Sequence, residues 1–243
     1  MTATHRIALV TGANKGIGLE IARQLAQAGI CVLIGARDAE RGKAAIKDLS
    51  SQGLDATFVQ LDLLDEASIA AAAAWISHQH GRLDILINNA GIVDWNDGAP
   101  SRASLQAVRR VVETNFFGTL AVTQAMLPLL RKSTAARIVN LSSALGSLAM
   151  NGDPSSPYYS AQLIGYNASK AALNMLTVQL SEEFRGSPHV VNSVSPGYVK
   201  TDLTRNNGFL TPEQAALTPV TFALLADDAV SGQAVGASGK IAW

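Results

Sequence analysis

The chain has one cysteine among 243 residues. Cys31 therefore lacks a partner for an intrachain disulfide, which fits a reducing compartment. Set in the apolar stretch Ile30-Cys31-Val32-Leu33, it reads as a core residue. The four histidines, His5, His78, His80 and His189, lack the spacing of a metal site and read as structural or surface residues. Charge is scarce too: charged side chains make up 16% of the chain, with 19 Lys+Arg against 19 Asp+Glu. That balance offers no basic face for nucleic acid and no electrostatic anchor for a membrane. No apolar run approaches membrane-spanning length, and the six residues before the first strand leave no room for a signal peptide. The chain is expected to be soluble and cytoplasmic. With 48% hydrophobic residues it is also expected to be ordered.

What is present is an alternation of strand and helix patterns. Ile7-Ala8-Leu9-Val10 is a short apolar run that breaks into Thr11-Gly12-Ala13-Asn14-Lys15-Gly16-Ile17-Gly18, after which apolar residues recur at helical spacing. In such a turn Gly12 permits a tight reversal, Gly16 lets the backbone approach a phosphate, and Gly18 removes a side chain that would hold the helix off the sheet. The helix N-terminus then faces the pyrophosphate of a dinucleotide.

Further strands are predicted over 31–35, 56–61, 83–87, 137–141 and 190–194, and helices over 38–50, 66–78, 104–130 and 164–184. Asp65 can cap the third helix, and Thr211 with Pro212 can open a last one. The glycine-rich tail, 230–243, leaves room for a short final strand. No repeat, charge run or linker divides the chain. The expectation is one α/β domain over 1–243: a doubly wound Rossmann fold, its parallel sheet of about seven strands covered by helices on both faces.

The residue closing the second strand usually selects the nicotinamide cofactor, an acid there favouring NAD. Here Ile34-Gly35-Ala36 leads to Arg37, and Lys15 in the glycine turn can approach the same ribose phosphate. Two cations and no acid favour NADP. Asp38 is read as a helix cap, with a pairing to Arg37 as the alternative.

Tyr166 and Lys170 stand four apart, on one face of a helix. A tyrosine ordinarily titrates near pH ~10, and a neighbouring ammonium favours the phenolate. Tyr166 can then exchange a proton with a carbonyl or alcohol oxygen. The fifth strand runs into Ser142-Ser143, the fourth into Asn88-Asn89-Ala90-Gly91, and the sixth into Ser195-Pro196-Gly197 with Thr201 beyond. Strand C-terminal ends are where such sheets bind ligands. Asn115 lies within an apolar helix, where a buried amide needs partners.

On the motifs Thr11–Gly18, Asn88–Gly91, Asn115, Ser143, Tyr166/Lys170 and Pro196–Gly197, in that order, the sequence resembles the short-chain dehydrogenase/reductase family over nearly its whole length. The resemblance implies a catalytic tetrad: Tyr166 as acid/base, Lys170 lowering its pKa and holding the nicotinamide ribose, Ser143 positioning the substrate oxygen, and Asn115 holding a water in a proton relay. It also implies NADP(H) contacts at Gly12, Asn14, Lys15, Gly16, Ile17, Gly18, Arg37, Asp62, Leu63, Asn89, Ala90, Gly91, Tyr166, Lys170, Pro196, Gly197, Val199 and Thr201. Of the adjacent serines the family pattern favours Ser143 over Ser142.

Two features depart from that pattern. Ser143 and Tyr166 are 23 positions apart, a longer stretch than usual, with the excess around Asn151–Gln162. A similar, longer insertion occurs in monomeric carbonyl reductases, which the Ala13-Asn14-Lys15 turn also resembles, so monomer and homodimer both stay open. The tail lacks the usual ending and finishes at Trp243, read as packing near a pocket, with cover of the sheet edge as the alternative. Substrate loops are expected near 93–100, 146–162 and 201–210; Trp95 either lines the substrate mouth or anchors its loop. The expected reaction is NADPH-dependent reduction of a ketone or aldehyde. The alternatives are an alcohol or sugar-alcohol dehydrogenase, a dinucleotide-binding sensor without turnover, and a cofactor-free relative.

Overall fold

The computed structural model of the protein describes residues 5–226 and 229–243. Its centre is one sheet. Strands β1 (Ile7–Thr11), β2 (Cys31–Ala36), β3 (Ala56–Gln60), β4 (Ile85–Asn88), β5 (Arg137–Leu141), β6 (Val190–Val194), β7 (Gln233–Gly236) and β8 (Gly239–Ile241) lie in the order β3-β2-β1-β4-β5-β6-β7-β8. All neighbours are parallel except β7 and β8, which pair antiparallel as a hairpin. The tail thus supplies two strands, and among the described residues the sheet has eight strands where about seven were expected. Gly239, at φ +110°, begins the returning strand, a backbone conformation that favours glycine.

Helices cover both faces. α1 (Gly16–Gln27), α2 (Ala39–Ser50) and α8 (Pro212–Ala223) lie on one side, where Ile21, Leu25, Leu49 and Ala216 meet Val10, Ile34 and Ile87 of the sheet. α3 (Glu66–His80), α5 (Thr119–Leu130) and α7 (Ile164–Glu183) lie on the other, where Ile76, Met126 and Leu180 meet Leu9, Leu33 and Ile138. Strands buried on both faces must be apolar throughout, as β1 is. Caps fix several helix starts. Asp65 accepts from Ala67 N, and Thr211 shares a capping box with Gln214. Asp38 caps α2, accepting from Arg41 N, and its ion-pair partner is Arg41. Pro128 sits in the last turn of α5.

The expected helix over 104–130 runs without a gap but changes its winding. α4 (Leu105–Val112) passes through a wide π-turn, Glu113–Gly118, before α5 begins. One extra residue per turn rotates the side chains that follow, and such bulges gather at functional sites. The stretch 146–162 is not wholly irregular either: a 3-10 turn, Ala144–Gly146, leads into the short helix α6 (Leu148–Gly152). Trp243 is 39% exposed, and its carbonyl accepts from Ala149 N, so the tail is tied to this segment. Cys31 is half-buried, and burial pushes its thiol pKa up. Among the described residues, no helix is long and apolar enough to cross a membrane.

Candidate functional site

The connection order reverses between β1 and β4, since β1 leads on to β2 at one side while β4 leads on to β5 at the other. In a doubly wound sheet a crevice opens at that point. The structure has a cleft of ≈ 580 Å³ there, walled by the turns after β1, β2, β3 and β4 and by the segment following β6.

The glycine turn is built for close approach. Gly12 and Gly16 have φ of +64° and +58°, the left-handed region that glycine tolerates. A Cβ on Gly18 would stand 2.4 Å from Asn89 Nδ2 and 2.7 Å from Gly12 O. Asn89 explains that tightness: its Nδ2 donates to Thr11 O (2.8 Å) and Gly12 O (3.2 Å). Asn89 N and Ala90 N both donate to Thr11 Oγ1. The Asn88–Gly91 segment therefore buttresses the glycine turn as well as lining the cleft. Below it, Asn88 Nδ2 donates to Thr123 Oγ1 and Asn140 Oδ1, and Asn140 Nδ2 donates to Thr177 Oγ1. This buried polar chain locks β4 and β5 to α5 and α7.

The first turn of α1 carries no side-chain cap, since Lys15 at its N-cap contributes no such bond. That first turn lines the cleft at Gly16, Ile17 and Gly18, and a Cβ on Gly16 would meet only the Thr201 side chain, at 3.5 Å. A phosphate fits such a cradle. Asn14, Lys15, Gly16, Ile17, Gly18, Arg37, Asp62, Leu63, Asn89, Ala90, Gly91 and Thr201 all line the cleft with Gly12. Asp62 Oδ1 already accepts from Leu64 N in a local turn. Pro196, Gly197 and Val199 are not among the lining residues; Val199 is buried and bridges to Leu210. The Lys15 Nζ pairs with Asp202 at 2.5 Å, both side chains being exposed. Arg37 is exposed at the tip of β2. Val93 and Asn206 of the expected loops also line the cleft, as do Ile92, Thr114 and Lys200, which the sequence motifs do not mark.

Tyr166 and Lys170 are not among the lining residues either, but the four candidate catalytic groups come together beside Gly91 of the cleft wall. The Ser143 hydroxyl, which accepts from Leu145 N, stands beside Tyr166 and acts to lower its pKa. Lys170 Nζ lies 5.6 Å from the centre of the Tyr166 ring and donates to Leu141 O at 2.7 Å. A Cβ on Gly91 would be 3.3 Å from Asn115 Oδ1 and 3.6 Å from Lys170 Nζ. The π-turn aims Asn115 inward, where Oδ1 accepts from Ile92 N (2.8 Å) while Nδ2 donates to Ile92 O (2.9 Å) and Ser169 Oγ (3.1 Å). Ser169 in turn donates to Tyr166 O. Ser142, the other serine, is taken up by Asn174 Oδ1 at 2.6 Å, so its hydroxyl serves the core.

Electrostatics follow from burial. Lys170 is 5% exposed, and desolvation of the ammonium pulls its pKa down to about 8. Burial pushes Tyr166 up to about 12, opposed by the Ser143 hydroxyl. Burial, rather than the Lys170 charge, thus sets the direction for Tyr166, whose hydroxyl holds its proton at neutral pH.

Two loops meet at the mouth. Trp95 is half exposed, and the Arg205 guanidinium stacks on its ring at 4.1 Å, joining the 93–100 and 201–210 segments. Asn167 Nδ2 donates to Asn151 Oδ1, tying the inserted segment to α7 beside Tyr166. The histidines are accounted for locally: His189 Nδ1 accepts from Ala136 N, and His80 stands edge-on to Trp75. Among the described residues, no group of three or more His, Cys, Asp or Glu could hold a metal ion.

The chain is similar to several known proteins. Carbonyl reductase [NADPH] 1 of Sus scrofa is 35% identical, covering 100% of this chain and 96% of its own length. (-)-Isopiperitenone reductase of Mentha piperita is 33% identical, covering 96% of each. The crystal structure of NADPH-bound carbonyl reductase from chicken fatty liver superposes with a TM-score of 0.84 at 32% identity, covering 98% of this chain and 99% of that one. The model of the short chain dehydrogenase family matches residues 6–208. With that match spanning most of the sheet and the whole cleft, the chain belongs to the short-chain dehydrogenase family.

Proposed function

We propose that the protein is an NADPH-dependent carbonyl reductase that converts a ketone or aldehyde to an alcohol. The observation that carries this reading is that Tyr166, Lys170, Ser143 and Asn115 come together beside Gly91 of the cleft. A tyrosine hydroxyl placed there can donate a proton to a carbonyl oxygen, as reduction requires. Relatives named as NADPH-dependent carbonyl reductases support the same direction and cofactor.

The N–H groups opening α1, with Gly12 and Gly16, would hold the cofactor's pyrophosphate. Arg37 and Lys15 would meet the ribose 2′-phosphate, Asp62 and Leu63 the adenine side, and Thr201 and Lys170 the nicotinamide end. Pro196, Gly197 and Val199 would support that end from behind the lining. When bound, the cofactor supplies hydride from C4 of its nicotinamide. The protein does the rest. Ser143 orients the substrate oxygen, and Tyr166 donates the proton to it as the carbonyl carbon is reduced. The Lys170 ammonium stabilises the tyrosinate left behind. Asn115, held by Ile92 and Ser169, keeps a water between Lys170 and solvent through which Tyr166 is reprotonated.

The substrate is a small molecule entering past Trp95 and Arg205. A single-domain cytoplasmic protein is part of this reading; the lone Cys31 supports the compartment. Mixing the purified protein with NADPH and a panel of ketones and aldehydes tests it. Consumption of NADPH that depends on the carbonyl is the expected result. Turnover with NADH alone, or none with any carbonyl, refutes it.

A further inference from the structure

We propose that Asp97 is a positioning residue for Tyr166: it caps α7 from a distant loop and fixes the backbone of the proton donor to the mouth of the cleft. The proposal rests on the reading of Tyr166 as that donor. α7 has no cap of its own, since Leu163 at its N-cap position makes no side-chain bond. Its first donors are met from the loop after β4 instead. Ile164 N donates to Gly98 O at 3.0 Å, Gly165 N to Asp97 Oδ1 at 3.0 Å, and Tyr166 N to Asp97 Oδ2 at 2.8 Å. Asp97 Oδ1 also accepts from Gly98 N at 2.8 Å.

Asp97 is 9% exposed, and these three N–H groups with the positive end of α7 compensate the burial of its carboxylate. Gly165 makes the approach possible: a Cβ there would stand 3.1 Å from Asp97 Oδ2 and 2.9 Å from Val108 Cα. An ordinary cap would only stabilise its helix. Here the N–H held is that of Tyr166 itself, and the loop doing the holding begins at Ile92 and Val93, which line the cleft, and carries Trp95. A shift of that loop is transmitted through one carboxylate to the backbone that aims the Tyr166 hydroxyl at Ser143.

The test compares Asp97→Ala, Asp97→Asn and Tyr166→Phe in the full chain. It measures kcat and KM for carbonyl reduction, NADPH affinity by fluorescence titration, and Tm. Misplacing a proton donor by a fraction of an ångström lowers turnover without touching the glycine turn, so kcat should fall at least about tenfold in Asp97→Ala. Asp97→Asn, which keeps one acceptor oxygen, should recover part of it, with NADPH affinity within about twofold of the parent in both. Parent-like kcat in Asp97→Ala overturns the proposal, as does a fall in kcat that merely tracks lost NADPH affinity. If Asp97→Ala does not fold, Asp97→Asn decides by the same criteria. Loss of turnover in Tyr166→Phe alone sinks the Asp97 role and leaves the proton donor standing; parent-like turnover in Tyr166→Phe sinks both.

Discussion

Replacing Lys170 with methionine should make the ligand-free protein more stable at neutral pH and inactive. Lys170 is 5% exposed, and burial pulls its ammonium from 10.5 down to about 8. That shift means the folded state penalises the charged form by roughly 3 kcal/mol, at about 1.4 kcal/mol per pH unit. Methionine has a similar length and no charge, but it forfeits the hydrogen bond to Leu141 O, worth about 1 kcal/mol. The net expectation at pH 7 is a gain of roughly 2 kcal/mol. The sign reverses with pH. Below the folded value of about 8, lysine is charged in both states and the parent bears the whole penalty. Between about 8 and 10.5 the unfolded chain binds more protons than the folded one, so the parent gains stability as pH rises. Above that window only the lost hydrogen bond remains, and the variant should be less stable by about 1 kcal/mol. Urea unfolding of parent and Lys170→Met at pH 7 and above pH 10 reads the difference directly. A variant less stable at pH 7, or a difference that does not change with pH, would refute the claim that burial governs this ammonium.

Other consequences are open to simpler assays. Arg37→Glu places an acid where the second strand ends, so NADPH affinity should fall by at least about tenfold while NADH affinity holds or improves, read by fluorescence titration. Asp202→Asn frees Lys15 from its ion pair and should tighten NADPH binding by a few-fold with little effect on NADH, an effect that fades in high salt. Because Tyr166 keeps its proton up to about 12 in the ligand-free state, reduction should be nearly flat from pH 6 to 7.5, while oxidation of the product alcohol, which needs tyrosinate, should climb with pH. Oxidation that falls with rising pH over that range would contradict the Tyr166 assignment.

Much of this was readable in advance, because the residues concerned act locally. The glycine turn declares itself through φ constraints within eight residues, Thr11–Gly18, and the strands through apolar runs that two buried faces require. Tyr166 and Lys170 are linked by helical spacing alone. The π-turn was not legible: inserting one residue into a helical turn changes no residue type, and Glu113–Gly118 keeps a helical pattern on either side. Nor was the role of Asp97, since an acid in a loop between Trp95 and Pro100 looks like a solvated turn until α7 arrives on it 69 residues later at Tyr166. The Lys15–Asp202 pair joins residues 187 apart, so sequence showed two surface charges and not the contest for one of them. The β7–β8 hairpin was half seen, because three-residue β8 is too short to carry a pattern.

The most direct test is isotopic. NADPH labelled with deuterium at C4 would be incubated with a reducible ketone and either the parent or Tyr166→Phe, and the alcohol analysed by mass spectrometry. The parent should deliver the label to the former carbonyl carbon, and Tyr166→Phe should still bind NADPH yet form product at least about a hundredfold more slowly. Unlabelled alcohol from the parent, or labelled alcohol formed at the parent's rate by Tyr166→Phe, would contradict proton donation by Tyr166 to a carbonyl reduced from NADPH.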